Sequence, residues 1–321
     1  MDILIVLEDN NGAIHRMGLE TITAAQHIAA EMNLTTAALV LGKNADTLAE
    51  QASKYDLDQV VKIDDPNLQD YSSDGFAIAV EQAIKDQNCT YAIFGHTYQV
   101  RDYVPKVSAR MMKPFLADNI AIEFNDSSII FTKQTFNAKL FTDITAASDG
   151  PHLISFQSAS YMSDDAKPGS APIDSMAIDL DPSLIKTSSE EPFKESAGGV
   201  DLSAAEIIVS VGRGIGEKDN IPMAKDLATA LGAELSSSRP VVDADWLSAD
   251  HQVGSSGQSV SPKMYLALGI SGAIQHVVGM KGSKNIVAIN KDPDAPIFEI
   301  ADYGVVGDIM EIVPKLTEAL Q

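Results

Sequence analysis

Short, mostly apolar runs recur along this chain, each stopped by a glycine or a loop signal, and stretches with helical spacing lie between them. That rhythm limits the fold more than any other feature. Residues 3–7 read Ile-Leu-Ile-Val-Leu, and residues 23–32 then carry Ala24, Ile28 and Met32 at intervals of four. A second run, 36–41, is closed by Gly42, and a third, 60–63, is followed by Asp64-Asp65-Pro66. Phe76, Val80 and Ile84 put one apolar face on a helix over 76–84, and the run 91–94 ends at Gly95. Alternation of this kind predicts an α/β fold, a parallel sheet covered by helices. Runs 120–122 and 128–132 flank Asn125-Asp126-Ser127 and predict a hairpin, which adds antiparallel strands to the sheet, with 153–156 as one more.

The chain has 321 residues, more than most single domains, which favours two domains. Residues 163–170 read as a loop, and the polar stretch from Lys186 to Gly199 reads as a linker. A βαβ pattern restarts at 207–211, with further strands expected at 265–270 and 285–289 and a last helix over 308–320. The expected division is an N-terminal α/β domain over 1–194 and a second domain over 195–321.

The formal net charge of −22 excludes a nucleic-acid partner in practice, because little here would neutralise phosphates along a duplex. Residues 1–200 carry 14 Lys+Arg against 29 Asp+Glu, and residues 201–321 carry 9 against 16, so the N-terminal part is the more acidic. No apolar run is long enough for a membrane span. The opening residues lack a basic region and a cleavage site, and they read as a strand rather than a signal peptide. A single cysteine, Cys89, rules out an internal disulfide and fits a reducing compartment, the cytoplasm.

The candidate chemistry lies beyond residue 200. The run 207–211 leads into Gly212-Arg213-Gly214-Ile215-Gly216 and a following helix, and glycines after a strand let backbone amides approach a phosphate. The dinucleotide fingerprint is incomplete, since Asp219 stands where a third glycine belongs; a tight turn explains the glycines equally well, and Arg213 is what tips the reading. The stretch Gln252-Val253-Gly254-Ser255-Ser256-Gly257 suits an anion-binding loop, although an ordinary loop has the same composition. At Gly269-Ile270-Ser271-Gly272-Ala273-Ile274-Gln275-His276 an apolar strand ends and a short helix is expected to open at Ser271 and Gly272, a natural pyrophosphate position. His276 falls one turn inside it; a lone histidine is more often structural. In Ser238-Arg239-Pro240 the proline biases Arg239 toward an extended backbone, which would aim its guanidinium at an aromatic ring; a surface arginine is the plainer reading. There is no P-loop, no HExxH, no CxxC and no nucleophile elbow.

In order along the chain, Val211–Gly214, Ser238-Arg239-Pro240-Val241-Val242-Asp243-Ala244, Gln252-Val253-Gly254, GISGAIQH over 269–276, AINKDP over 288–293 and ADYG over 301–304 resemble the C-terminal FAD domain of electron transfer flavoprotein alpha subunits. The first 200 residues resemble the family more loosely. The resemblance implies a Rossmann-like FAD-binding domain, an electron carrier without substrate chemistry of its own, and one FAD. It implies a beta-subunit partner that holds AMP, flavin dehydrogenases as donors and an acceptor such as a quinone oxidoreductase. By the same resemblance, Arg213 contacts the FAD phosphates and Ser238 and Arg239 lie beside the isoalloxazine. Gln252, Val253, Gly254, Ser255, Ser256 and Gly257 form the loop under the ring, and Gly269 with Ser271 through His276 holds the pyrophosphate. Asn290 and Asp308 lie near the ribose and adenine. Arg239 and a protonated or hydrogen-bonding His276 would stabilise the negative charge that reduction places near flavin N1 and O2. Many relatives have Lys where this chain has Gln258, which removes one positive charge.

Two other functions fit parts of this pattern: a flavin-dependent enzyme with its own substrate, and an adenine-nucleotide-binding sensor protein. A flavin absorption spectrum separates the sensor from the other two, and stable co-purification with a beta subunit separates the carrier from the enzyme.

Overall fold

A strand buried on both faces is mostly apolar, and the first such run, β1 (Ile3–Val6), is buried at all four positions. The computed structural model describes residues 1–125, 128–136, 140–147, 149–158, 160–190, 200, 202 and 205–320. It divides into two compact units, Met1–Glu191 and Pro192–Gln321. The expected boundary at 194/195 and most of the expected linker fall in 191–199, outside the described residues.

Unit 1 continues from β1 through a small hairpin, β2 (Asp9–Asn10) and β3 (Ala13–Ile14), to α1 (Arg16–Met32), β4 (Thr36–Leu41), α2 (Ala45–Ala52), β5 (Gln59–Ile63), α3 (Ser73–Gln87), β6 (Tyr91–Gly95) and α4 (Tyr98–Met111). Then come β7 (Phe115–Asn125), β8 (Ser128–Thr135), β9 (Leu140–Ile144), β10 (His152–Phe156) and β11 (Ile173–Ser175). The nine-stranded sheet has the order β11-β5-β4-β1-β6-β10-β7-β8-β9. Every pairing from β11 to β7 is parallel. Successive side chains alternate between faces: Leu4 and Val6 join the core under α3 and α4, while Ile3 and Ile5 join the core under α1 and α2.

The expected hairpin is present, with β7 and β8 antiparallel from Ala121↔Thr132 to Asn125↔Ser128, and β9 extends it. The run 153–156 is not another antiparallel strand. As β10 it lies parallel between β6 and β7, and its five positions are all buried, as an interior strand requires. α1 begins at Arg16 rather than near 23, because the His15 side chain caps it by accepting from Met17 N at 3.1 Å. The first residues of the expected linker are tied to α3 and to the turn before it. Lys186 N donates to Asp74 at 2.9 Å, Thr187 Oγ1 donates to the same carboxylate at 3.2 Å, and Ser189 Oγ donates to Tyr71 O at 2.7 Å.

Unit 2 contains β12 (Ile207–Val211), α5 (Ile221–Leu231), β13 (Glu234–Ser237), α6 (Arg239–Val242), β14 (Met264–Leu268), α7 (Ile274–Val277), β15 (Ile286–Asn290), β16 (Tyr303–Val306) and α8 (Ile309–Leu320). Its five strands are all parallel, in the order β13-β12-β14-β15-β16. Val209, Val211, Leu266, Leu268 and Ile289 meet α5 and α8 on one face. Ile208, Tyr265, Ala267 and Ala288 meet Val253, Met280 and Ile297 on the other.

Candidate functional site

In a parallel sheet every strand points the same way, so the turns after all five strands of unit 2 crowd one edge. The chain leaves β12 for β13 on one side and returns to β14 on the other, which puts a topological switch point at the carboxyl ends of β12 and β14. Gly212 and Gly214 follow β12, and Gly269 follows β14. Gly212 N donates to Leu268 O at 2.8 Å and Gly214 N to Gly269 O at 3.0 Å. The two turns touch backbone to backbone: a Cβ on Gly212 would stand 2.3 Å from Gly269 O. Arg213 is exposed beside this contact. The helix expected to follow is delayed, with short 3-10 turns filling 213–220 before α5 opens at Ile221.

After β13, Ser238 N donates to Val211 O at 3.0 Å and Ser238 is buried. Arg239 does not take the extended backbone expected of a residue before proline; it is the first residue of α6, where Pro240 has no helical acceptor to miss. Its side chain is exposed and pairs with Asp243 at 3.3 Å.

The 252–258 loop is fastened at several points. Val253 N donates to Ser237 O at 2.9 Å, Gly254 N to Gln258 O at 3.1 Å, Ser255 N to Gln275 O at 2.7 Å and Gln258 N to Gln252 O at 2.7 Å. Gln252 Nε2 donates to Ser256 Oγ at 3.0 Å. A Cβ on Gly257 would meet Gln252 O at 2.3 Å. Gln258 donates to Asp250 O at 2.6 Å and to Val200 O at 3.3 Å. It closes the loop instead of offering charge.

The helix after β14 starts later than expected. Ala273 is its N-cap and α7 spans four residues, so its dipole is short. Gly272 is required here: its φ is +87°, and a Cβ would lie 2.2 Å from Ile297 N. Ser271, Ala273, Ile274 and Gln275 are exposed. Asn290 ends β15 and is buried, with Nδ2 donating to Ile270 O at 2.9 Å and Oδ1 accepting from Asp292 N at 3.0 Å. Asp308 follows β16 and accepts from Met310 N at 2.8 Å, capping α8.

His276 does not offer the protonated ring that was one of the two expectations. It is buried, with Nδ1 3.0 Å from Val253 O and Nε2 2.9 Å from the Tyr265 hydroxyl. Burial pushes its pKa down to about 4, which the Val253 carbonyl only partly offsets. Sequence reasoning missed Tyr265, whose signal was a polar tip inside an apolar strand eleven residues before His276. It also missed the buried hydroxyls of Ser210, Ser236 and Ser237. Burial pushes the Tyr265 phenol above its usual range, and Ser210 and Ser236 are near enough to pull it partly back, yet neither serine completes a hydrogen bond of good geometry.

The candidate residues thus come from all five strand ends and share one edge of the unit. Chemically, that edge offers two exposed guanidinium groups, glycine turns and the exposed hydroxyls of Ser255, Ser256 and Ser271, with Ile274 half exposed among them. This donor set fits an anionic group joined to a flat apolar one.

A family model for the electron transfer flavoprotein domain matches residues 3–180, and one for the electron transfer flavoprotein FAD-binding domain matches 201–281. The electron transfer flavoprotein subunit alpha of Thermoanaerobacterium thermosaccharolyticum is 35% identical, covering 100% of this chain and 98% of its own length. That of Bacillus subtilis is 36% identical over 98% of this chain and 96% of its own. The acryloyl-CoA reductase electron transfer subunit beta of Anaerotignum propionicum is 32% identical over 100% and 95%.

Proposed function

We propose the details of an electron-carrying role for this chain, which belongs to the electron transfer flavoprotein family and matches its alpha subunits over its full length. FAD is its cofactor, and the chain is an electron carrier. The domain that holds FAD is Rossmann-like and begins near 195. The observation that carries the reading is the delivery of candidate residues by all five parallel strands of unit 2 to one edge.

FAD, when bound, supplies reversible acceptance of electrons. The chain's own residues do the rest. Arg213 neutralises phosphate beside the touching glycine turns, and Ser271 through Gln275 add donors to the pyrophosphate. Ser238 and Arg239 lie beside the isoalloxazine, where the guanidinium offsets incoming negative charge. The loop from Gln252 to Gly257 supports the ring from below. Asn290, its amide committed to Ile270 O and Asp292 N, holds the shape of the turn near the ribose, and Asp308 lies toward the adenine.

The partner is a beta subunit that carries AMP. Electrons come from flavin dehydrogenases and leave to an acceptor such as a quinone oxidoreductase. The site of action is the bacterial cytoplasm. Family membership supports the first of these partners, and the single cysteine supports a reducing compartment.

Co-expression with the neighbouring beta gene, followed by absorption spectroscopy, tests the role. The expected result is one FAD per alpha chain, reduced by a dehydrogenase only when one is added. A colourless complex points to the nucleotide-binding sensor. Reduction by a small substrate without a dehydrogenase points to a flavin-dependent enzyme.

A further inference from the structure

His276 and Tyr265 form a hydrogen-bond chain whose direction follows from chemistry. A backbone carbonyl only accepts, so the 3.0 Å contact with Val253 O requires the ring proton on Nδ1. In a neutral ring Nε2 then accepts, and the Tyr265 hydroxyl, 2.9 Å away, must donate. Burial favours that neutral ring. The groups facing it are the Tyr265 hydroxyl from β14 and the Val253 carbonyl from the loop, with Ser210 and Ser236 behind Tyr265. None of these is charged near neutral pH. Val253 is also held from its other side, since its N–H donates to Ser237 O at the end of β13.

We propose that Tyr265 is a positioning residue: by donating to Nε2 it locks the orientation of the His276 ring whose Nδ1–H reaches Val253 O and, through that proton, fixes the 252–258 loop at the carboxyl ends of β13 and β14. The idea takes its functional meaning from the proposed FAD site at that edge. It makes His276 a neutral brace for the loop under the flavin, and it leaves Arg239 as the cation beside the ring. Tyr265 is fully buried and would be read as core; the polar chain through it is what sets it apart.

The test uses the full chain, co-purified with its beta partner and labelled with 15N-histidine. His276→Asn assigns the resonances. The expected wild-type signature is a protonated Nδ1 and an unprotonated Nε2, unchanged from pH 8 to pH 6. Tyr265→Phe should leave Nδ1 protonated, shift the Nε2 resonance, and speed amide exchange at Gly254 and Ser255 by about tenfold, the loss of one net hydrogen bond. His276→Asn places an amide nitrogen where Nδ1 was and should keep the loop protected. His276→Gln places it where Nε2 was and should not. That pair carries the test if Tyr265→Phe does not fold. A doubly protonated or Nε2–H ring at pH 7 overturns the proposal, as do equal exchange in both histidine variants or an unchanged Tyr265→Phe. FAD content is measured on the same samples. Absent FAD with the expected histidine signature overturns the cofactor site alone, and bound FAD with the wrong tautomer overturns the brace alone.

Discussion

In unit 1 the strand order runs β5-β4-β1-β6, so the chain reverses direction between β1 and β6; in unit 2 it runs β13-β12-β14, and the reversal lies between β12 and β14. Both reversals put a switch point at carboxyl ends of parallel strands. The two units treat it differently. In unit 1, Glu8 after β1 accepts a hydrogen bond from Thr97, the N-cap of α4, and Val100 and Tyr103 of α4 close in. About 10 Å³ remains, no more than one water needs. The cost falls on Glu8, whose carboxyl burial pushes up to about 7. In unit 2 touching glycine turns stand at the switch point, and Arg213 and Ser271 are exposed beside it. Topology supplies a switch point in each case; the side chains at the strand ends decide whether it can hold a ligand.

The comparison breaks most easily at Gly272. With φ at +87° and no room for a Cβ against Ile297, Gly272→Ala should cost unit 2 about 2–4 kcal/mol. Trp246, the chain's one tryptophan, lies in unit 2, so its fluorescence midpoint in urea should fall while amide protection in β1 and β6 holds. An equal loss in both units would mean that they are not independent in the way the contrast requires.

Glu8→Gln probes the filled crevice. The folded pKa lies above the ordinary 4.5, so the wild type is penalised progressively as pH rises from about 4.5 to about 7, and fully above that. The variant should therefore gain stability at pH 8, by up to about 3 kcal/mol, and nothing at pH 4. Exchange of β1 and β6 amides against pH reads this, and FAD content should not change. A gain that is the same at both pH values would rule out a buried carboxylate as the cause.

A smaller effect is expected at Arg239, because it is exposed and already paired with Asp243. Arg239→Ala should still allow FAD to bind and should lower the first reduction potential by the equivalent of about 1 kcal/mol. Arg239→Lys should be milder, and Asp243→Asn should raise the potential, since it frees the cation. Spectroelectrochemical titration measures all three; unchanged potentials would place the ring elsewhere. The smallest effect belongs to Asp74, which Lys106 and the Lys186 amide hold down to about 2. Its contribution is present above the ordinary carboxylate range and lost only as pH falls toward 2. Asp74→Asn should speed proteolysis at 186–189 severalfold at pH 7 without touching FAD content.

Much of the fold was legible because strands buried on both faces leave mostly apolar runs, as in β1 and β4. β13 was nearly silent, since Ser236 and Ser237 make up half of it and are buried without apolar character. α4 was missed because its sequence is polar and carries Pro105. The parallel pairing of β10 was illegible because a run of five buried residues does not reveal its neighbours. At the candidate site, glycines followed by polar residues marked the turns after β12 and β14, from Gly212 to Gly272. The state of His276 was hidden, because it depends on Tyr265 and Val253, which only the folded chain brings to it.

The most direct measurement is an experimental structure of the FAD-loaded alpha–beta complex, with every contact to FAD assigned to a residue of this chain. Contacts should come from Arg213, Ser238, Arg239, the 252–257 loop, residues 269–276, Asn290 and Asp308, and none should come from the Glu8–Thr97 crevice. An FAD held mainly by residues 1–190 would contradict the assignment of the cofactor site to unit 2.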